Sequence, residues 1–156
     1  MLSWQLVNYT SNTISLSTKI KNLENYISKY PSAIIAYSGG IDSSLVAYIC
    51  NKVLGKNKSL VVIAVSPSLN KKEYEQALNL AQKYDWNFKP IFTEEFNNDN
   101  YLKNDFNKCI YCKFELYEKL EEILIKENFS VVFNGTNFDD LSDIRPGIDA
   151  AKKKNI

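Results

Sequence analysis

The chain contains no histidine, and that absence removes a large part of enzyme chemistry. No Ser-His or Cys-His nucleophile pair, and no imidazole metal ligand, can be assembled from these 156 residues. An excess of one charge is missing too. Lys and Arg number 19 against 18 Asp and Glu, so the balance gives no ground for expecting nucleic acid or an anionic membrane as partner. The Lys152-Lys153-Lys154 run is three charges and reads as a solvated helix face or tail. No apolar run approaches the roughly 20 residues of a membrane span. The first residues lack the basic stretch and apolar segment of a secretory signal. Cysteines number three, an odd count that, without an export signal, argues for reduced thiols in the cytoplasm. The length suits one domain with a sizeable core.

Against these absences one segment stands out. Residues 38–43 read Ser38-Gly39-Gly40-Ile41-Asp42-Ser43, follow the apolar run Ala33-Ile34-Ile35-Ala36-Tyr37, and lead directly into an amphipathic stretch. A strand, a paired-glycine turn and a helix make an arrangement for holding a polyphosphate. Adjacent glycines let the backbone approach a ligand with no Cβ in the way. Amide N–H groups and the positive end of the helix then face the anion. Ser38 and Ser43 can add hydroxyl donors, and Asp42 can hold the magnesium that accompanies ATP. The turn is not a Walker loop, because no lysine follows the glycines. Nor is it a dinucleotide fingerprint, which needs a third glycine and an acidic residue about twenty positions on. The plainer alternative is an ordinary Gly/Ser-rich turn capped by Asp42 or Ser43.

The rest of the chain alternates helix and strand. Leu16, Ile20, Leu23, Tyr26 and Ile27 have helical spacing, with Pro31 after them. A helix over 42–54 places Leu45, Val46, Ile49, Cys50 and Val53 on one face and stops at Gly55. Leu60–Val65 is a continuous apolar run, as in a strand buried on both faces. A helix over 70–84 carries Tyr74, Ala77, Leu78, Ala81 and Tyr84, and a strand follows over 88–93. Residues 95–108 form a polar, Asn/Asp-rich loop. A helix over 112–127 turns Leu116, Tyr117, Leu120, Ile123 and Leu124 inward, and a fourth strand spans 130–134. This pattern predicts an α/β fold, a doubly wound parallel sheet in a single domain: an N-terminal helical segment over 1–30, then the nucleotide-binding domain over 31–156. Ligands of such sheets bind beyond the carboxyl ends of the strands, where strand order reverses. The glycine turn, Ser66-Pro67 and Gly135-Thr136-Asn137 all fall there.

Ser-Gly-Gly-Ile-Asp-Ser resembles the pyrophosphatase (PP) loop of the N-type ATP pyrophosphatase superfamily, whose fold is the Rossmann-like one of adenine nucleotide alpha hydrolases. Two more segments narrow the likeness: Lys108-Cys109-Ile110-Tyr111-Cys112-Lys113, and Asn134 through Gly147 with its Gly135-Thr136-Asn137, Asp139-Asp140-Leu141 and Arg145-Pro146-Gly147. Both resemble segments of LarE-like ATP-dependent sacrificial sulfur transferases. The resemblance implies binding of ATP with Mg2+, transfer of AMP to the carboxylate of a small-molecule substrate with release of pyrophosphate, and then sulfur transfer. It implies Ser38, Gly39, Gly40, Asp42 and Ser43 at the pyrophosphate and its metal, with Asp42, Ser38 and Ser43 the catalytic candidates. Backbone at Val65 and Ser66 would meet adenine, and Gly135 and Thr136 the ribose or α-phosphate. Asp139, Asp140 and Arg145 would serve metal, substrate or lid, or form a capped loop before a last helix.

Cys50 reads as core. Cys109 and Cys112, at a loop-to-helix junction, are open to structural, sulfur-handling or metal roles; one chain with a single further thiol and no histidine cannot complete a tetrahedral site. Neither matches the sacrificial cysteine of the LarE-like family, which lies in a region past Arg-Pro-Gly, whereas this chain ends at Ile156, nine residues beyond Gly147. Three functions stand open: an adenylating sulfur transferase; a nucleotide-binding module, homo-oligomeric or paired with a subunit that supplies that C-terminal region; and a PP-loop synthetase or thiolase with another acceptor.

Overall fold

Ala33–Tyr37 form strand β1, and all five residues are buried. Successive side chains of a strand point to opposite faces, so a strand buried throughout must have elements packed on both. The computed structural model describes residues 14–66, 69–93 and 108–136, with only the backbone of 108–114, and it supplies those elements. The described elements are α1 (Leu16–Ile27), β1, α2 (Ile41–Leu54), a short 3-10 turn (Lys56–Lys58), β2 (Ser59–Val65), α3 (Lys71–Lys83), β3 (Asn87–Phe92), α4 (Lys108–Lys126) and β4 (Val132–Asn134). The strands form one sheet in the order β3-β2-β1-β4, and every pairing is parallel.

The register explains the two cores. Ile34 pairs with Leu60 and Val132, and Ala36 with Val62; these residues pack with Tyr117 and Leu120 of α4. Ile35 pairs with Val61 and Tyr37 with Ile63; these face the opposite side, against Ile27 of α1, Ala47, Ile49 and Cys50 of α2, and Ala77 and Ala81 of α3. The sheet is therefore doubly wound, as the alternating pattern predicts. From β1 the chain steps outward through α2 and α3 on one face, then returns through α4 on the other to place β4 on the far side of β1. Strand order reverses between β1 and β4.

Local chemistry sets the ends. Ser15 caps α1 by accepting a hydrogen bond from the Thr18 amide at 3.2 Å. Asn70 caps α3 by accepting from the Lys72 amide at 2.9 Å. Just past α3 and α4, Asp85 (φ 52°) and Asn128 (φ 57°) adopt the left-handed conformation that stops a helix. Pro90 is tolerated in β3 because β3 lies at the edge of the sheet among the described residues.

Three expectations are corrected. Leu45 is half exposed and Ala47 takes the buried place on α2, because the packed stripe is centred on Ala47, Ile49 and Cys50. Tyr84 lies past the end of α3 and is partly exposed, stacked on Trp86. Helix α4 begins at Lys108 rather than 112, so Cys109 stands at its start, as expected, whereas Cys112 lies a turn inside it. The Cys109–Lys113 stretch holds no Gly or Pro to resist helix propagation from the strongly periodic part that follows.

Candidate functional site

The glycine turn joins β1 to α2 beside the point where strand order reverses. Gly39 has φ +81°, the left-handed region that glycine enters without strain. Gly40 is the N-cap of α2, and no side chain caps that helix end. An α-helix leaves its first amide groups without intrahelical acceptors, so a capless start presents donors and the positive end of the dipole.

Side chains hold the turn from beneath. The buried Ser43 donates from Oγ to the Gly40 carbonyl at 3.0 Å and accepts from the Ser38 amide at 3.3 Å. Its Oγ also lies 3.1 Å from Ser38 Oγ. Ser44 Oγ is 2.8 Å from the same Gly40 carbonyl, to which the Ser44 amide also donates at 3.0 Å. Ser44 Oγ lies 3.3 Å from the hydroxyl of Tyr37, whose ring packs edge-on against Trp86 in the core. The loop is thus tied to the core through Tyr37. With its proton directed to Gly40, Ser43 organises the turn, while the exposed Ser38 is the hydroxyl better placed to meet a ligand.

β4 closes the site from the other side. Beyond its end, Gly135 packs so near the start of α2 that a Cβ there would lie 2.6 Å from Ser43 Cα and 2.7 Å from the Asp42 carbonyl carbon, and closer still to the Ser43 amide nitrogen. Only glycine fits without shifting backbone. The Thr136 hydroxyl donates to Asn134 Oδ1 at 2.5 Å.

Between these segments lies a cavity of about 380 Å³. Ser38, Ser43, Ser66, Gly135 and Thr136 line it, all named from the sequence. Gly39, Gly40, Asp42 and Val65, also named from the sequence, do not; the Val65 side chain packs against the α2-side core. Asp42 stands at the second position of α2, half-buried beside the turn. Asp139, Asp140 and Arg145 lie outside the described residues, as do the side chains of Cys109 and Cys112. Cys50 is fully buried and its thiol is pushed up to about 12 by burial, in keeping with a core role. Leu69, Glu73, Leu116, Tyr117 and Asn134 also line the cavity; from the sequence Leu116 and Tyr117 read as core and Asn134 as part of the LarE-like segment, and none of the five as a site residue. For Asn134 the signal was its place at the carboxyl end of a strand; for Tyr117, a polar group on an otherwise apolar helix face.

No Lys or Arg lines the cavity among the described residues. The groups there that can attract an anion are backbone amides and the helix dipole. Those residues also contain no group of three or more Asp, Glu, Cys or His able to hold a metal alone. That donor set fits magnesium only in the way this ion is commonly held, by one carboxylate together with ligand phosphates and water; the carboxylates at hand are Asp42, beside the turn, and Glu73, in the cavity lining.

A family model described as NAD synthase matches residues 15–110, more than half of the chain. The chain belongs to the NAD synthase family. It is a member of the PP-loop superfamily with a LarE-like homologue: the pyridinium-3,5-bisthiocarboxylic acid mononucleotide synthase of Lactiplantibacillus plantarum is 29% identical over 136 residues, covering 87% of this chain and 49% of that protein. An uncharacterized protein of Synechocystis is 42% identical over 139 residues, 89% of this chain and 52% of the other. The chain spans about half the length of the curated relatives it matches. Among solved structures, the NH3-dependent NAD synthetase of Campylobacter jejuni superposes with a TM-score of 0.66 at 16% identity, covering 92% of this chain and 75% of that one. That likeness is one of fold. No helix among the described residues is long and apolar enough to cross a membrane.

Proposed function

We propose that this chain binds ATP with Mg2+ and supports transfer of AMP to the carboxylate of a small molecule, releasing pyrophosphate and readying the acyl group for sulfur. The observation that carries this function is the capless start of α2 beneath a left-handed Gly39, closed by a Gly135 that no other residue can replace without shifting backbone. In the reaction a carboxylate oxygen forms a bond to the α-phosphorus while the bond to the bridging oxygen breaks, and the electron pair leaves with pyrophosphate. Backbone amides of residues 39–43 and the α2 dipole stabilise the charge on that leaving group. Asp42 would hold the magnesium, which neutralises phosphate charge. A carboxylate is already a nucleophile, so the lack of histidine is no obstacle.

The sulfur step is supported by the name of the L. plantarum relative, which makes a bisthiocarboxylic acid mononucleotide. The test is ATP–pyrophosphate exchange with a pyridinium dicarboxylate mononucleotide and a panel of other carboxylates. Exchange that depends on the pyridinium compound and is lost in Asp42→Ala supports the proposal; exchange untouched by Asp42→Ala overturns the assigned site. A second reading, a nucleotide-binding module whose acceptor chemistry lies outside this chain, is favoured by the half-length match to these relatives. It predicts that the isolated chain binds ATP without exchange. Exchange with a different carboxylate points instead to another acceptor within the superfamily.

A further inference from the structure

Tyr117 is a core residue by burial, only 4% exposed, packed with Ala36, Leu60, Val62 and Leu120 on the α4 side of the sheet. Yet it also lines the cavity. Its hydroxyl makes no hydrogen bond to any described residue, although buried polar groups nearly always find a partner. The Trp86 indole nitrogen is the one side-chain polar atom both sealed from solvent and unpartnered among the described residues. The Tyr117 hydroxyl is not sealed, and Tyr117 lines the cavity, so that donor, unused among the described residues, faces that space.

Its position gives that donor a direction. The glycine turn and α2 hold the phosphate end of the site from one face of the sheet. Tyr117 enters from the opposite face, across the carboxyl end of β1, where Ala36 is small enough to leave room. A ligand anchored by its phosphates at the turn and extending across the strand ends meets Tyr117 with its other part. Resting on the ATP function proposed above, we propose that the Tyr117 hydroxyl donates a hydrogen bond to the nucleoside portion of the nucleotide and selects nucleotides over bare pyrophosphate. A phenol is a donor at neutral pH, and burial shifts its titration further upward.

The test is titration calorimetry of the whole chain and its Tyr117→Phe variant, in the presence of Mg2+, with ATP, AMP and inorganic pyrophosphate. ATP and AMP should each bind the variant about 3- to 10-fold more weakly, the effect of one hydrogen bond, and pyrophosphate should bind both proteins alike. The melting temperature should hold, because the hydroxyl supports no described contact. In the unaltered chain, the tyrosine ultraviolet difference spectrum should respond to ATP and AMP but not to pyrophosphate. Unchanged ATP affinity in Tyr117→Phe, or equal weakening of pyrophosphate, overturns the inference and leaves the ATP function standing. If the unaltered chain binds none of the three ligands, the ATP function fails and the inference goes with it.

Discussion

The two faces of the sheet are built alike but equip the cavity differently. On one, α1, α2 and α3 cover Ile35, Tyr37, Val61 and Ile63, and that face brings to the site the backbone of the glycine turn and an uncapped helix start, with the side chains of Ser38, Ser43 and Glu73 beside them. On the other, α4 covers Ile34, Ala36, Leu60 and Val62, and it sends two side chains, Leu116 and Tyr117, of which Tyr117 carries the polar group. Backbone donors suit a ligand part that is always the same, because they cannot be exchanged by mutation except through steric exclusion. A side-chain donor suits a part that must be told from others. Gly135 lies where the two meet, one residue past β4 and against the backbone of Asp42 and Ser43.

The largest test asks whether the smaller α4 side is structural at all. Leu120 is fully buried there, and truncating such a leucine removes apolar burial and leaves a void. Leu120→Ala should lower stability by about 3 kcal/mol, a fall of roughly 6–12 °C in melting temperature by circular dichroism for a chain of this size. A change of a degree or less would show that α4 merely rests on the sheet.

Next comes the seam. A methyl on Gly135 overlaps backbone rather than a flexible side-chain tip, so Gly135→Ala should cost about 2 kcal/mol as overpacking does. It should also weaken ATP binding, since relief requires the start of α2 to move. Should Gly135→Ala melt like the unaltered chain, the close approach between β4 and α2 is not as described.

Much of this was legible in the sequence. The strand order could not be read, but the alternation of apolar runs and helical periods gave the parallel, doubly wound sheet, and the buried run Ala33–Tyr37 located its centre. The glycine turn was legible because its chemistry is local: φ at Gly39 and the cap at Gly40 depend on neighbours in the chain. Tyr117 was read as inward-facing but not as a site residue, since its hydroxyl meets the cavity only through a crossover that joins residues some eighty positions apart. Gly135 was read as a ligand neighbour; its tight packing against Ser43 is a tertiary contact that no local pattern encodes. The early start of α4 escaped because apolar periodicity is weak over 108–114, although nothing there forbids a helix.

Within the turn itself the two glycines should part company. Gly39 is left-handed, with a would-be Cβ at an ordinary 3.6 Å from Ala77 Cβ, so Gly39→Ala should cost about 1 kcal/mol through backbone strain alone. Gly40 has an extended backbone, φ −74° and ψ 165°, open to any residue. Gly40→Ala should shift stability by no more than about 0.5 kcal/mol in either direction. Comparable losses from both substitutions, measured by denaturant titration, would mean that the turn's shape comes from something other than Gly39.

The smallest effect at neutral pH, and the sharpest probe of how dry the α2 side is, belongs to Cys50. Burial lifts its thiol from 9.0 to about 12. A raised thiol pKa means the fold favours the neutral form, so this contribution is complete below about pH 9 and is lost as pH climbs toward 12. The stability advantage over Cys50→Ala should therefore shrink on the alkaline side, by at most about 1.4 kcal/mol per pH unit. In a Cys109→Ser/Cys112→Ser background at pH 8, Cys50 should resist an aromatic disulfide reagent in the folded chain and react at once in denaturant. Prompt labelling of the folded chain would show that water reaches the core between α2 and the sheet, and the contrast between a sealed α2 side and an α4 side that opens a hydroxyl to the cavity would be lost.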